Sequence, residues 1–405
     1  MKSFWLLTGA TAVSTAGNTF LYLAVPWALV ESTHSTLPAV LSLAAQTVPY
    51  LAAPFLGAAI DRYDRRLLFA AGEVVQGVCV ALIPLLLAVH AVAAVFPVLF
   101  VMGLAKVVSD VAGDYGLLPA LVPRERLDQA SGWFNSAQLT ARFAGPALAG
   151  AVIAGVGPGP ALEIDAATFL LTALTVLFMP APEPAGPRTA LGAMLREGAA
   201  YFRSRPDLQR LTLAVALYNL GAGALEPTLL TVGATQWHWS SSALGAAVSC
   251  GAVAAAAGAW LSPKVPAPGR RHHRIAFWLA VAALGSLVLL VSAPLAVVAG
   301  FCVLCLGEGG VNATTMAYRQ REIPRELAGR VNAVIRTFMT GAVPVSALLL
   351  GLTANLTGSV RIFLPVTATA LLGALVWTVR NPALRPASRP APVTPPLAMA
   401  EERPV

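Results

Sequence analysis

The chain has 405 residues, of which 57% are hydrophobic and only 11% are charged, whereas a water-soluble protein carries about 25% charged residues. This composition excludes a protein whose whole surface faces water. The formal net charge of +8 does not indicate a nucleic-acid binder, because the basic residues fall in short clusters between long apolar segments.

Twelve membrane-spanning helices are predicted from the apolar segments. A stretch of about 20 residues with almost no charge can cross about 30 Å of hydrocarbon. Such a segment must be helical, because lipid offers the backbone no hydrogen bonds. The predicted fold is therefore an all-α membrane protein. In chain order, the spans are placed at residues 5–30, 36–59, 67–89, 92–116, 131–155, 161–180, 208–232, 241–262, 275–292, 294–317, 331–355 and 359–379.

The charge of the connections between spans predicts how the chain is oriented. Nearly all loop arginines lie in alternate connections, and the intervening connections carry no lysine or arginine except Arg361 near the last turn. Because basic loops stay in the cytoplasm, we expect both termini to be cytoplasmic in a multi-pass protein of the cell (inner or plasma) membrane. The basic connections are residues 60–66, 117–130, 181–207, 263–274 and 318–330.

An internal repeat and a proline-rich segment divide the chain into two halves. Residues 122–127 (VPRERL) recur as residues 323–327 (IPREL), each copy between two predicted spans. Two six-helix bundles of the same orientation form a parallel repeat, so a pseudo-symmetric pair is expected. The predicted parts are an N-terminal six-helix bundle (1–180), a cytoplasmic linker with an amphipathic helix (181–207), a C-terminal six-helix bundle (208–380) and a disordered cytoplasmic tail (381–405).

Charged residues within the predicted spans are the main clue to mechanism. Lys106, Asp110 and Asp114 lie four residues apart on span four, so they share one face of that helix. Each would cost about 2.5–3.5 kcal/mol if it faced lipid at mid-membrane, and this face must therefore meet the protein interior or water. Arg142 on span five is also near mid-membrane, and Glu308 follows Lys106 by about 200 residues, at a related position in the other half.

A carboxylate in such a place can bind and release a proton, since burial favours its protonated form. We expect the proton-coupling carboxylate to be among Asp110, Glu308 and Glu226, the last of which lies in the outer half of span seven. Lys106 and Arg142 are interpreted as charge partners, and Lys106 and Glu308 could pair across a central cavity. The alternative is that these residues form fixed structural ion pairs.

The loop between spans two and three carries the most specific motif. Residues 57–66 read GAAIDRYDRR, which resembles the G-x-x-x-D-R-x-G-R-R signature of the major facilitator superfamily, with Asp64 where a glycine is usual. The resemblance implies a twelve-helix transporter of two bundles, in which this loop latches the halves near the start of span eleven. The gating role that it implies falls on Gly57, Asp61, Arg62, Arg65 and Arg66, with Asp114 as the acidic partner of a loop arginine.

Span five carries a second motif. Residues 144–150 read AGPALAG, which is similar to the glycine–proline signature of drug antiporters in the superfamily. Gly145, Pro146 and Gly150 are the expected packing residues, since small side chains let helices approach closely. Residues 162–166 (LEIDA) and 329–333 (GRVNA) are loosely similar to the branch with macrolide and siderophore exporters.

These resemblances imply proton-coupled efflux of small amphipathic molecules, such as drugs, macrolide-like compounds or siderophores. Uptake of a small nutrient by a symporter or facilitator is the alternative. The sequence contains no H-E-x-x-H zinc motif and no G-x-x-x-x-G-K-[ST] phosphate-binding loop, so we predict no enzymatic activity. A proton gradient, rather than a cofactor, is the expected energy source.

The cysteines and the expected partners complete the sequence-based interpretation. The C-x-x-C at 302–305 lies in an apolar span and is interpreted as packing, so no metal site is expected. The expected partners are a small-molecule substrate, protons and the lipid bilayer, with no nucleic acid. The chain is expected to act as a monomer.

Overall fold

The computed structural model describes residues 2–33, 36–52, 64–113, 117, 121–122, 127–179, 191–265, 271–291, 293–324 and 327–381. This part of the chain is helical and contains no β-strand. Its helices are α1 (Lys2–Thr33), α2 (Thr36–Thr47), α3 (Arg65–Ala88), α4 (Val92–Ala112), α5 (Leu127–Val156), α6 (Pro158–Leu177), α7 (Leu191–Ser204), α8 (Pro206–Ala222), α9 (Leu225–Gln236), α10 (Ser241–Leu261), α11 (Arg271–Val288), α12 (Pro294–Glu322), α13 (Ala328–Thr357) and α14 (Phe363–Arg380).

Ten helical segments within the described ranges are long and apolar enough to cross a membrane, which confirms the predicted all-α membrane fold. They are α1, α3, α4, α5, α6, α8 together with α9, α10, α12, α13 and α14. Helix α11 is apolar but shorter. Helix α2 continues as a 3-10 turn at Val48–Ala52, beyond which residues 53–63 are outside the described part. These two helices stand where the remaining two of the twelve predicted spans are expected.

The seventh predicted span is interrupted rather than continuous. Helix α8 ends at Ala222 and α9 begins at Leu225, so Glu226 lies in the first turn of a new helix. The cause is Pro227, which has no N–H to donate and whose ring clashes with the carbonyl group four residues earlier, at Gly223. The break places the Glu226 carboxylate close to a helix N-terminus, which is favourable for a negative charge.

Each half buries its own apolar core. In the first half, α1 packs against α5 and α6, and α3 packs against α4 and α6, around the buried side chains of Leu21, Ile83 and Phe169. In the second half, α12 packs against α10 and α11, while α8 packs against α13 and α14. Trp278 of α11 covers Gly310 of α12 so closely that a Cβ there would overlap the indole ring. Burial of these faces, rather than local helix propensity, holds the helices together.

The two halves meet at the end of the bundle that carries few arginines, formed by the connections after α1, α3, α5, α9, α11 and α13 and called here the arginine-poor end. Gly150 of α5 faces Gly245 of α10. Leu230 and Leu244 of the second half are buried in a cluster of first-half side chains. The halves are therefore in close contact at this end, and the opposite end is called the arginine-rich end.

Helix α7 lies between the two bundles in sequence and is bound to the second one. The Arg205 guanidinium, which follows α7, donates hydrogen bonds of 2.8 and 2.6 Å to the two carboxylate oxygens of Asp207. It also lies 3.1 Å from a carboxylate oxygen of Glu322, at the end of α12. Glu197 of α7 forms an ion pair with Arg330 of α13. The linker helix is thus fastened to the arginine-rich end of the second half.

Candidate functional site

A charged group lies on α4 in the first half. The Lys106 Nζ is 3.2 Å from the Asp110 Oδ1 one turn later, and the two side chains remain 22% and 42% exposed. The Tyr50 hydroxyl donates a 2.9 Å hydrogen bond to the other oxygen of Asp110. The structure therefore differs from a pairing of Lys106 with Glu308, because the i, i+4 spacing brings Lys106 and Asp110 together on one helix.

Lys106 and Asp110 line an open cavity of about 450 Å³ between α1, α3, α4 and α5. Glu73 of α3 lines the same cavity, although it is only 4% exposed. The Ser14 hydroxyl donates a 3.0 Å hydrogen bond to one oxygen of Glu73, and the Gln76 amide donates one of 3.2 Å to the other. The rest of the polar lining consists of Thr11, Ser14, Thr15, Asn18, Ser109 and Gln138.

Glu73 was not among the residues predicted from sequence, because its span was treated as almost free of charge. The signal that identifies Asp110 was nevertheless present for Glu73: both are acidic residues inside an apolar helix. An acidic residue at membrane depth is a candidate functional group by default, so this rule applied to every span finds Glu73.

A second charged group joins the two halves. Arg142 on α5 lies within electrostatic range of Glu226 on α9 and Glu308 on α12, and the two carboxylates are in range of each other. Arg142 and Glu226 are solvent-exposed, and Glu308 is partly exposed. Since charges facing lipid at this depth are costly, these side chains must face a water-filled space between the halves.

Tyr22 of α1 connects the two charged groups. It lies within electrostatic range of Lys106 and Asp110 on one side and of Arg142 and Glu226 on the other. The two groups are therefore neighbours, and together they form one charged region at mid-membrane, called here the central site. The central site brings together the five residues predicted for proton coupling and the central cavity: Lys106, Asp110, Arg142, Glu226 and Glu308.

Most of the predicted gating motif falls outside the described part of the chain, which leaves out Gly57, Asp61, Arg62 and Asp114. Arg65 begins α3. The Arg66 guanidinium donates hydrogen bonds of 2.6 and 3.3 Å to the carbonyl oxygens of Met179 and Leu177. Arg66 thus satisfies carbonyl groups that are left without partners where α6 ends.

Asp64, at the position where the superfamily signature has glycine, has a structural role here. Its carboxylate accepts hydrogen bonds from the backbone N–H groups of Arg66 and Leu67, at 2.8 and 3.4 Å. Asp64 is therefore the N-cap of α3, a position at which aspartate is among the preferred residues. The departure from the signature is compatible with an ordered start of this helix.

The glycine–proline motif lies on two contact surfaces of α5. A Cβ at Gly145 would overlap the side chain of Thr19 on α1, and a Cβ at Gly245 on α10 would overlap the carbonyl oxygen of Pro146. Gly150 approaches the backbone of α10 one turn later. The small residues of the motif therefore permit close packing both within the first half and between the halves.

The described residues contain no group of three or more His, Cys, Asp or Glu side chains placed to hold a metal ion. Cys302 and Cys305 lie on α12, and both are free thiols. Cys305 is buried in the apolar core of the second half, where it packs as a small hydrophobic side chain.

The chain is similar in sequence to known transporters. The family described as Major Facilitator Superfamily matches residues 7–347. The chain is 27% identical over 404 residues to the multidrug efflux pump Tap of Mycobacterium tuberculosis, covering 94% of both chains. It is 26% identical over 385 residues to the MFS-type transporter y4rN of Sinorhizobium fredii, covering 92% of this chain and 93% of the other.

Among solved structures, a bacterial homologue of the iron transporter ferroportin in its inward-facing state resembles the chain with a TM-score of 0.72. The two sequences are 18% identical, and the match covers 94% of this chain and 98% of that one. At this identity the likeness establishes the common fold of the two proteins.

Proposed function

Because the chain belongs to the major facilitator superfamily, it is a multi-pass membrane transporter of small molecules, and we propose that it exports amphipathic molecules in exchange for protons. The observation that carries the proposal is that Arg142 lies within electrostatic range of both Glu226 and Glu308, whose side chains are exposed or partly exposed to solvent. Similarity to the multidrug efflux pump Tap over 94% of both chains supports drugs as substrates.

The exchange of substrate for protons follows from the number of charged groups around Arg142. Arg142 balances the charge of only one of its two carboxylates, Glu226 and Glu308. The other carboxylate has no cation of its own in the described structure, so it can take up a proton or bind a cationic substrate. Protons and a cationic amphipathic substrate therefore compete for the same group, and each displaces the other when the site opens to one side.

Alternating access would come from movement of the two halves against each other. The halves touch through Gly150 and Gly245 at the arginine-poor end, while the central site is accessible to solvent. We therefore assign this structure to the state that is open at the arginine-rich end. The alternating loop charge supports a cytoplasmic location for that end and for both termini, and the substrate would then enter from inside the cell.

The direct test is a substrate panel on inverted membrane vesicles whose interior has been acidified. Ethidium, erythromycin and a ferric siderophore serve as a lipophilic cation, a macrolide and a siderophore. At least one should dissipate the pH gradient in vesicles that contain the protein, and Glu308→Gln should abolish that response. Glu163→Gln, an exposed acidic residue on α6, is the matched control and should behave as the unmodified protein. Failure of all three compounds at normal protein level would refute the proposal.

The uptake alternative is favoured by one observation. The cavity beside Glu73 is lined by hydroxyl and amide groups from Ser14, Asn18 and Gln138, which suit a polar solute better than a drug. The same vesicles distinguish the two functions, since an exporter moves substrate and protons in opposite directions and a symporter moves them together.

A further inference from the structure

A second buried carboxylate, that of Asp165, lies near Glu73. Asp165 of α6 is fully buried, and its Oδ2 has no hydrogen-bond partner among the described residues. It faces Gly17 of α1, where a Cβ would lie 2.5 Å from the Asp165 Oδ1. Asp165 belongs to the LEIDA segment at residues 162–166, a motif to which the central site assigns no role.

Within the described structure, few charged groups surround Glu73 and Asp165. Asp165 lies within electrostatic range of Glu73 and Lys106. Glu73 is faced from α4 by Lys106 and Asp110. Helix α1 contributes uncharged side chains to this cavity, among them Ser14, which donates a hydrogen bond to Glu73, and Asn18. The surroundings therefore hold one cation and three carboxyl groups.

Lys106, the one cation near this pair among the described residues, already has an acidic partner. Lys106 forms its ion pair with Asp110, at 3.2 Å, so neither Glu73 nor Asp165 has a cation of its own. Two neighbouring carboxylates cannot both ionise readily, and an uncompensated buried charge is strongly destabilising. Hence at least one of the two carboxyl groups must hold a proton.

We propose that Glu73 and Asp165 form a second proton-binding site, separate from the Arg142 group, in which Glu73 exchanges its proton with the cavity. The inference rests on the proposed coupling to protons and deepens it. Glu73 borders the cavity, whereas Asp165 is sealed between α1 and α6. Glu73 is therefore the member that releases the proton, and Asp165 is the member that stays neutral.

Polar groups around Glu73 suit both of its protonation states. When the proton leaves to water in the cavity, the carboxylate keeps the hydrogen bonds donated by Ser14 and Gln76. When the proton is bound, acceptors without partners are close by, since the side-chain oxygens of Asn18 and Gln76 are buried and unpaired within the described structure. They can accept from the carboxyl O–H or from a water molecule that delivers the proton.

A second proton changes the charge balance of transport. Exchange of one monovalent cation for one proton moves no net charge, whereas exchange for two protons moves one charge per cycle. Transport of a monovalent cation should therefore respond to the membrane potential as well as to the pH gradient. Removal of the second site should abolish the response to potential and keep the response to pH.

The test uses the full-length protein in proteoliposomes with ethidium, and valinomycin with a potassium gradient sets the potential. In the unmodified protein and in the Glu163→Gln control, potential should accelerate ethidium transport. In Glu73→Gln, transport should still follow the pH gradient and should no longer respond to potential. Both variants preserve side-chain size, and retained transport shows that the protein is folded.

A second measurement is independent of any substrate. Infrared spectra at neutral pH record the C=O stretching band of protonated carboxyl groups, which Glu73→Gln combined with Asp165→Asn should weaken and Glu163→Gln should not. An unchanged band, or an unchanged response to potential in Glu73→Gln, would overturn the proposal. If the unmodified protein does not move ethidium, the infrared band alone decides whether this pair holds a proton, and the three-compound panel separately decides whether the protein exports drugs.

Discussion

The Ser241 hydroxyl on α10 donates a 3.1 Å hydrogen bond to the carbonyl oxygen of Gly150 on α5, and this bond joins the two halves of the transporter at the arginine-poor end. A Cβ at position 150 would overlap the carbonyl oxygen of Ser241. The contact therefore requires glycine on α5. The contact also has to break whenever the arginine-poor end opens. A substitution of Gly150 should therefore change the balance between the state that is closed at this end and the state that is open there.

Gly150→Val is expected to favour the state that is open at the arginine-poor end. Overpacking costs about 1–3 kcal/mol, and here it acts on the closed contact alone. A difference of that size shifts the populations of two states by about 5- to 150-fold. Ethidium transport should fall accordingly, while thiol labelling of a cysteine introduced at Tyr22, in the central site, should become faster from the arginine-poor side.

Gly155→Val on the same helix is the matched control, because a Cβ at that position meets no other atom within 4 Å. It should transport at the rate of the unmodified protein. Equal transport and equal labelling in Gly150→Val would show that the α5–α10 contact does not limit the conformational change.

Arg142→Gln is expected to uncouple substrate from protons. Without the guanidinium, Glu226 and Glu308 lose their common cation, so both stay protonated and neither exchanges within a cycle. Loss of an interaction worth about 1.4 kcal/mol changes an equilibrium constant about tenfold. Proton flux driven by ethidium should therefore fall by at least about that factor. The exposed Arg203 on α7 provides the control Arg203→Gln, and normal proton flux in Arg142→Gln would contradict the assignment.

Lys106 and Asp110 are expected to be energetically coupled. Their ion pair is partly exposed, so the coupling should be about 1 kcal/mol, near the low end for residues in contact. Unfolding in mixed micelles of Lys106→Gln, Asp110→Asn and the double variant measures it as a double-mutant cycle. Tyr50→Phe removes a hydrogen bond to Asp110 and should cost about 0.5–1.5 kcal/mol. Simple additivity of the Lys106 and Asp110 variants would disprove the coupling.

Arg205→Ala is expected to loosen the attachment of α7 to the second half. The hydrogen bonds that the Arg205 guanidinium donates to Asp207 raise its pKa further above its usual value, so the anchor stays charged at every pH used for transport. Its loss leaves Asp207 and Glu322 without this partner, and amide hydrogen exchange in α7 should speed up by about tenfold for each 1.4 kcal/mol lost. Arg203→Ala on the same helix should leave exchange unchanged, and equal protection in both variants would exclude the anchor.

Much of the fold follows from the sequence for simple physical reasons. Apolar length identifies a span because lipid allows only helices, and alternating loop charge gives the same count of spans. The interruption of span seven was also recorded in the sequence, since Pro227 cannot continue the hydrogen-bond ladder of a helix. The span predicted over 208–232 is one membrane-crossing segment in the structure, Pro206–Gln236, and the helix within it is broken before this proline.

The central site was less accessible to sequence reasoning. The individual charges, such as Arg142 and Glu226, could be found because ionised groups are rare at membrane depth. Their grouping could not be found, since it depends on how each helix is rotated about its own axis and on which helices of the two halves become neighbours. The related positions of Lys106 and Glu308 in the two halves suggest that they pair. In the structure Lys106 instead pairs with Asp110, one helical turn away on the same helix.

The most direct test of the central claim is to record ethidium and proton movement together in proteoliposomes of the purified protein. The account predicts that the two move in opposite directions, and that both fluxes disappear in Glu308→Gln and persist in Glu163→Gln. Movement of ethidium and protons in the same direction, or ethidium transport with no accompanying proton flux, would contradict it.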